Sequence, residues 1–532
     1  MSALASEVDS FPPRGLVAGP VSDLVRARAL SQGVRAYIEH ARANRSLSFR
    51  DLDQAVDRWA SRLLRCGVEV GATVGLVISD PIEFSVAFLG TIASGHWAAP
   101  LDPSTPAQGP GGLVAALARV GADVVFADHR APDGIEVDVD WVDIRGAASC
   151  DQREVGASRA PAADRGSSGG AVLASSGTTG APKVIPLHQE QLLHTARGVV
   201  EHHRLTSTDR GFNSLPLFHI NAEVVGLLST LVAGATLVLD DRFHRTHFWD
   251  LMREREITWI NAVPAIISRL ADPGAEETIP ARIKFIRSAS APLPVATSAR
   301  FEANTGIPVL ETYGMTEAAS QITANPLAGP RKPGSVGLPV GVDLRIVAGD
   351  TAATESARQV EGDKVGHVEI RGPSVILAYE GNHHADRIDA DGWLRTGDLG
   401  HFDGDGYLYL DARTDDVINR GGEKVFPREI EEMILADPAV AAVAVVAAPD
   451  PELGQVPVAF IVLHEFDGDT GNAVVGDVLA RIRERLTADL VKSKRPTALN
   501  VVGALPAGAT GKVQRRTLRE SDVVVISRLD SR

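Results

Sequence analysis

The stretch Ala174-Ser175-Ser176-Gly177-Thr178-Thr179-Gly180-Ala181-Pro182-Lys183 is the point from which this chain of 532 residues is read. Every position but the last is small, hydroxylated, Gly or Pro. Ala171-Val172-Leu173-Ala174 leads into it and reads as a short buried strand. Glycines let successive main-chain N–H groups converge on an anion without Cβ obstruction, and Thr178 and Thr179 add hydroxyl donors. Lys183 adds positive charge for a polyphosphate. A Ser/Gly surface linker is the plain alternative, and residues 165–170 look like one. A linker, however, has no reason to end in Pro-Lys followed by Val184-Ile185-Pro186-Leu187. The Walker spacing is absent, because Lys183 follows Pro182 and precedes Val184, so the usual P-loop ATPase or kinase is disfavoured.

A chain of this length exceeds one hydrophobic core and implies two or more domains. Composition is that of a globular protein, 44% hydrophobic and 23% charged, and the net charge of −15 argues against broad binding to nucleic acid or anionic membranes. Cys66 and Cys150 stand alone in the sequence and form no metal or disulfide pattern, which suits a reducing, cytoplasmic setting. Residues 1–20 lack the apolar core of a signal peptide, and no apolar run reaches the length of a transmembrane span.

Outward from the loop, strands alternate with amphipathic helices. Strands are expected at 73–78, 97–102, 124–126 and 141–143, with helices at 47–64 and 84–92. Beyond the loop, helices at 190–203, 247–256 and 264–271 alternate with strands at 211–219, 258–262, 283–288 and 307–314, while 224–239 reads as a helix followed by a buried strand. This alternation predicts an α/β fold with a largely parallel sheet. From Gly334 short strands with Gly/Pro/Asp turns predict a β-rich subdomain. The expected organisation is a disordered N-terminus over 1–20, a large domain of α/β subdomains plus the β-rich subdomain over 21–411, a hinge over 412–416, and a small mobile α+β domain over 417–532.

Three further blocks carry chemistry. Tyr313-Gly314-Met315-Thr316-Glu317 follows a buried-type strand, and strand C-termini are where open α/β sheets place ligands. Tyr313 can stack on a purine, Thr316 can donate to a phosphate oxygen and Glu317 can hold Mg²⁺. An acid answering a helix dipole explains Glu317 equally well on its own. Thr396-Gly397-Asp398 places a carboxylate in a turn, suited to ribose hydroxyls but also ordinary turn chemistry. Thr510-Gly511-Lys512 sets one lysine on a Gly-flexed loop, which alone reads as part of a basic patch.

Taken in order with Arg413-Thr414-Asp415-Asp416, these blocks resemble the adenylate-forming superfamily: acyl- and aryl-CoA synthetases, adenylation domains of nonribosomal peptide synthetases, and beetle luciferase. The resemblance covers nearly the whole chain and is nearest to the acyl-CoA synthetase branch. Plant and fungal oxalyl-CoA synthetase-like proteins are similar through residues 260–290 and 325–339.

The resemblance implies a reaction and a set of roles. A carboxylic acid is joined to AMP with release of pyrophosphate, and the acyl group then passes to a thiol. Ser175, Ser176, Gly177, Thr178, Thr179, Gly180 and Lys183 would embrace the ATP phosphates, with Thr178 and Glu317 at the Mg²⁺. Ser290, Ala291, Glu311, Thr312, Tyr313 and Gly314 would line the adenine site, and Asp398 and Arg413 the ribose. Thr316 and Glu317 would hold the α-phosphate. Lys512 would bridge the acid and the α-phosphate, and His219 would gate the carboxylate or else serve structure. Asp415 would be the pivot about which the small domain turns, presenting Gly421, Gly422 and Glu423 to coenzyme A. Val184 and Ala412 depart from the family, which usually has Gly at both positions.

The implied enzyme is an AMP-forming acid–thiol ligase using ATP, Mg²⁺ and coenzyme A. Its expected partners are a small carboxylic acid, ATP, CoA and possibly an acyl carrier protein, with no nucleic acid. Alternatives are a freestanding adenylating enzyme that loads a carrier protein, and a relative performing one half-reaction. The expected acyl-pocket lining, 221–226, 262–264, 288–291 and 318–321, carries neither Lys nor Arg. Its small residues favour a medium or bulky monocarboxylic acid, and Arg287 is read as structural.

Overall fold

The computed structural model describes residues 19–105, 110–129, 140–145, 168–175, 183–348, 362–382, 384–464, 472–506, 513–520, 525 and 527–530. Two sheets with parallel centres form the large domain. In the six-stranded sheet, Asp140–Asp143, Val124–Ala127, Thr73–Val77, Trp97–Pro100 and Gly170–Ser175 run parallel, and Lys183–His188 closes one edge antiparallel. The nine-stranded sheet has Ala36–His40, Thr236–Leu239, Arg210–Asn213, Trp259–Ala262, Phe285–Ser288 and Val309–Met315 as its parallel centre. Helices cover these sheets, so the inner strands are buried on both faces and read as nearly continuous apolar runs.

Local signals explain much of the element placement. Helix Phe49–Arg65 starts at a capping box in which Ser48 and Asp51 satisfy each other's backbone N–H groups. Its buried stripe of Leu52, Val56, Trp59 and Leu63 faces the core. Helix Pro427–Leu435 begins with Pro at its first position, where a missing N–H costs nothing.

Two elements differ from the expectation. The apolar stretch before Gly234 opens as a π-helix, Asn221–Leu228, and continues as a short α-helix, Ser229–Ala233, ended by Gly234 at φ +68°. Asp398 lies within the long strand Leu394–Phe402 rather than in a tight turn, because pairing with Leu408–Arg413 carries the strand past Gly397. Cys66 is disulfide-bonded, which corrects the expectation of unpaired thiols and removes its support for a reducing compartment.

The β-rich subdomain is a four-stranded antiparallel sheet of Asp343–Val347, Gly366–Arg371, Leu394–Phe402 and Leu408–Arg413. Its last strand runs into a single turn, Thr414–Asp416. Beyond that turn a six-stranded sheet and the helices Pro427–Leu435 and Asn472–Asp489 enclose a separate core that includes Ile418, Ile430, Ile434, Ile461, Leu479 and Leu499. Among the described residues no helix is long and apolar enough to cross a membrane.

Candidate active site

Ser175 and Lys183 are register partners, so residues 176–182 join two antiparallel strand ends. This is a hairpin connection and not the strand–loop–helix of a Walker site. Ser176, Gly177, Thr178, Thr179 and Gly180 themselves lie outside the described residues. Lys183 is partly buried, with its Nζ 5.5 Å from the centroid of the Tyr379 ring. Burial lowers its pKa, the neighbouring guanidinium of Arg387 and then that of Arg413 lower it further, and Glu317 and Asp415 act in the opposite sense. One locus therefore holds three cations and two carboxylates drawn from four separated segments.

Glu317 is buried in the turn Thr316–Ala318 and accepts a hydrogen bond from the Tyr379 hydroxyl on Oε1 at 2.9 Å. Its carbonyl accepts from the Ile376 N–H at 2.9 Å, which ties the turn to the segment bearing Tyr379. Burial, together with the charge of Glu317, raises the Tyr379 phenol, so it stays protonated as a donor. Thr316 is partly exposed beside Glu317.

On the other side of this locus the Tyr313 hydroxyl donates to Asp398 Oδ2, and Arg413 Nε lies 3.3 Å from Oδ1. Asp398 and Arg413 are register partners on adjacent strands. Both carboxylate oxygens thus have fixed neighbours. Gly397 adopts φ +84°, and a Cβ there would stand 3.0 Å from Arg387 Nη2 and 3.3 Å from Arg413 Nη2. Arg387 is held in turn by the carbonyl of Arg395 at 3.1 and 2.7 Å.

The strand ends supply the rest of the expected nucleotide site. Thr312 Oγ1 donates to the Ser288 carbonyl at 2.9 Å, joining the strand before Tyr313 to the turn that carries Ser290 and Ala291. Ser290 is exposed at φ +73° and Ala291 is partly buried. Glu311 is buried, and its Oε1 accepts from the Leu293 N–H at 3.3 Å. Burial pushes its carboxyl up to about 7, with Arg428 opposing and Glu432 reinforcing the rise. Gly314 faces Ser320 so closely that a Cβ would sit 1.7 Å from the Ser320 carbonyl oxygen.

His219 lies beside Phe218, with ring centroids 4.6 Å apart, and burial lowers its pKa. Asn213, Asn261 and Arg287 form a ladder across neighbouring strands. Asn261 Nδ2 donates to Asn213 Oδ1 at 3.0 Å, and Arg287 Nη1 donates to Asn261 Oδ1 at 3.2 Å. Arg287 also donates to Asn221 Oδ1 at 2.8 Å and to Gln321 Oε1 at 3.1 Å. Two of the residues expected to line the acyl pocket, Asn221 and Gln321, therefore hold the buried Arg287 guanidinium.

At the junction of the domains, Thr414 and Asp415 are exposed, while Asp416 is paired with Arg519 at 2.8 Å and with Arg515 at 3.6 Å. Gly421 and Gly422, at φ +57° and +92°, turn the hairpin between Ile418–Arg420 and Glu423–Val425, and Glu423 is exposed. Arg428 donates to the carbonyls of Leu410 at 2.8 Å and Gly334 at 3.2 Å, docking the small domain on the large one. Lys512 lies outside the described residues. Sequence reasoning missed Tyr379 and Arg387, which sit outside every motif block.

Among the described residues no group of three or more His, Cys, Asp or Glu could hold a metal. A single buried carboxylate such as Glu317 nevertheless fits Mg²⁺, which takes one or two protein carboxylates and is otherwise bound by substrate phosphates and water. A cationic locus and an oriented carboxylate at the ends of the parallel strands, in a large domain followed by a smaller one, define a nucleotide-dependent enzyme.

Comparison with known proteins agrees. The AMP-binding enzyme family matches residues 25–380, and the AMP-binding enzyme C-terminal domain matches residues 429–512. The oxalate–CoA ligase of Arabidopsis thaliana is 33% identical over 536 residues, covering 96% of this chain and 99% of that protein. The o-succinylbenzoate CoA synthetase of Bacillus subtilis, solved with the acyl-adenylate OSB-AMP, superposes with a TM-score of 0.78 at 27% identity, covering 94% of this chain and 98% of that one. The same synthetase solved with ATP and magnesium ion gives 0.77 at 26% identity, covering 93% and 98%. The chain belongs to the AMP-binding enzyme family, in its acyl-CoA synthetase branch. It is an ATP-dependent acid–thiol ligase that uses ATP, Mg²⁺ and coenzyme A.

Proposed function

We propose that Lys183, Arg387, Glu317, Asp398, Arg413 and Lys512 divide the adenylation half-reaction among themselves. The reaction brings a carboxylate to a triphosphate, and both are anionic, so catalysis is chiefly charge neutralisation and positioning. Asp398, oriented by Tyr313 and Arg413, accepts the ribose hydroxyls. Lys183 and Arg387 face the departing pyrophosphate. Glu317 is the protein ligand for Mg²⁺, which supplies further positive charge against the phosphates when bound. Thr316 donates to the α-phosphate.

An oxygen of the acid attacks the α-phosphorus, and the bond to the β-phosphate oxygen breaks. Pyrophosphate leaves with that electron pair. Lys512, brought in from the small domain, stabilises the charge between acid and α-phosphate. Rotation about Asp415 then exchanges Lys512 for the face bearing Gly421, Gly422 and Glu423. The CoA thiolate attacks the acyl carbon, and AMP departs. Oxalate and o-succinylbenzoate, the acids in the relatives' names, are both dicarboxylates.

The observation that carries this reading is the gathering of Arg387, Glu317, Arg413 and Asp415 around Lys183. ATP–pyrophosphate exchange with a panel of carboxylic acids, followed by AMP release with CoA or with a holo-carrier protein, tests it. Acid-dependent exchange and CoA-dependent AMP release are expected. No exchange with any acid would overturn the assignment.

A further inference from the structure

Arg287 closes a central parallel strand, and the residue is 1% exposed. Its three side-chain acceptors, Asn221, Asn261 and Gln321, are neutral amides. Among the described residues no carboxylate forms an ion pair with it, although a buried cation ordinarily has one. Burial lowers its pKa to about 9, which still leaves it charged at neutral pH.

The surrounding donors point the same way. Asn213 donates Nδ2 to the Leu215 carbonyl and accepts from Asn261 Nδ2, so Asn261 must turn its oxygen toward Arg287. Asn221 and Gln321 also turn their oxygens toward the guanidinium, which leaves their NH₂ groups directed elsewhere. Asn221 Nδ2, Gln321 Nε2, Arg287 Nε, Ser288 Oγ and His219 Nε2 are all buried without a hydrogen-bond partner. A charge and a set of unused donors with no acceptor form the complement of an anion.

This cluster adjoins the activation site. Gln321 pairs with Gly314, two residues before Thr316, or about 7 Å along an extended strand. Asn221 opens the π-helix two residues after His219. We propose that Arg287, with Asn221 and Gln321, binds a second acidic group on the acid substrate, so that the enzyme activates short dianionic acids, either dicarboxylates or sulfo-carboxylates. The proposal rests on the ligase reading and adds its substrate class. Anchoring one acidic group on Arg287 also leaves the other free to attack phosphorus, which selects the reacting carboxylate.

The test is ATP–pyrophosphate exchange by the full-length enzyme on matched pairs: dicarboxylates of two to five carbons against their monomethyl esters, and sulfo-carboxylates against monocarboxylates of equal length. The native enzyme is expected to prefer the dianion in kcat/KM by at least about 100-fold, the scale on which a site built for a polar group rejects an analogue lacking it. Arg287→Met should lower dianion turnover to that of the ester, Arg287→Lys should restore part of the preference, and the Kd for ATP should stay unchanged in both. Whichever dianion exchanges faster identifies the acidic group. Equal use of diacid and ester by the native enzyme, or a preference that survives in Arg287→Met, would overturn the proposal while leaving the ligase intact. The native comparison decides the matter even if Arg287→Met does not fold. Exchange with no acid at all would instead remove the ligase reading itself.

Discussion

The hydroxyl of Tyr313 donates to Asp398, and the two residues come from different sheets, 85 positions apart in the chain. Arg413 faces the other oxygen of the same carboxylate. The Asp398 carboxylate is therefore held in one orientation. If it accepts the ribose hydroxyls as proposed, removing it should cost charge-assisted hydrogen bonds worth roughly 2–4 kcal/mol, or about 100-fold in ATP affinity. Tyr313→Phe, which loosens the carboxylate but keeps it, should cost about 10-fold. Isothermal titration of ATP into each variant measures both. Native affinity in Asp398→Ala would remove the residue from the ribose site.

The two half-reactions should separate at Lys512. Lys512→Ala is expected to lose ATP–pyrophosphate exchange by about 100-fold or more, the scale of one preorganised charge at a transition state. Thioester formation from supplied acyl-AMP and CoA should continue near the native rate, because the proposed mechanism uses the lysine in the first step only. An equal fall in both would show that one domain arrangement serves both reactions.

The alternation of strand and helix was legible because parallel strands buried on both faces read as apolar runs of the right length, as at Val124–Ala127. The turn that carries Glu317 directly after Val309–Met315 is legible too. Asp398 was placed in a turn because Gly397 is indistinguishable in sequence from a turn glycine. Only the cross-strand pair with Arg413 shows the strand continuing. The π-helix at Asn221–Leu228 has no sequence period distinct from an α-helix over so short a span.

The surroundings of Arg287 are illegible in the sequence for a related reason. Its partners Asn221 and Gln321 lie 66 and 34 residues away, and only the folded sheet and the following helix bring them together. Tyr379 was invisible on the same ground, standing 62 residues from Glu317.

Gly314 should tolerate no side chain. Its ideal Cβ would lie 1.7 Å from the backbone oxygen of Ser320, an atom fixed by the antiparallel pairing of the two strands. Gly314→Ala must therefore part those strands, carrying Tyr313 and Glu317 with them. A stability loss of about 1–3 kcal/mol or more is expected, the range for overpacking against a fixed backbone. Chemical denaturation against the native protein measures it, and a midpoint shift worth less than about 1 kcal/mol would contradict the crowding.

Glu311 gives the protein a pH-dependent stability of definite sign. Burial pushes its carboxyl up to about 7 in the folded chain against 4.5 for the ordinary side chain, with Arg428 and the Leu293 N–H opposing the rise and Glu432 adding to it. The folded state therefore holds a proton between these values that the unfolded state has released, and stability falls as pH rises. The contribution is fully present below about 4.5 and lost as pH passes 7, on the order of 3 kcal/mol in all. Glu311→Gln keeps an oxygen to accept the Leu293 N–H but does not titrate. Native protein should lose stability relative to this variant between pH 5 and 7 and run parallel to it above about 8, as read from urea midpoints across that range. Parallel curves throughout would mean that the Glu311 carboxyl is ionised in the folded protein at all these pH values, and that Arg428 neutralises it more fully than burial penalises it.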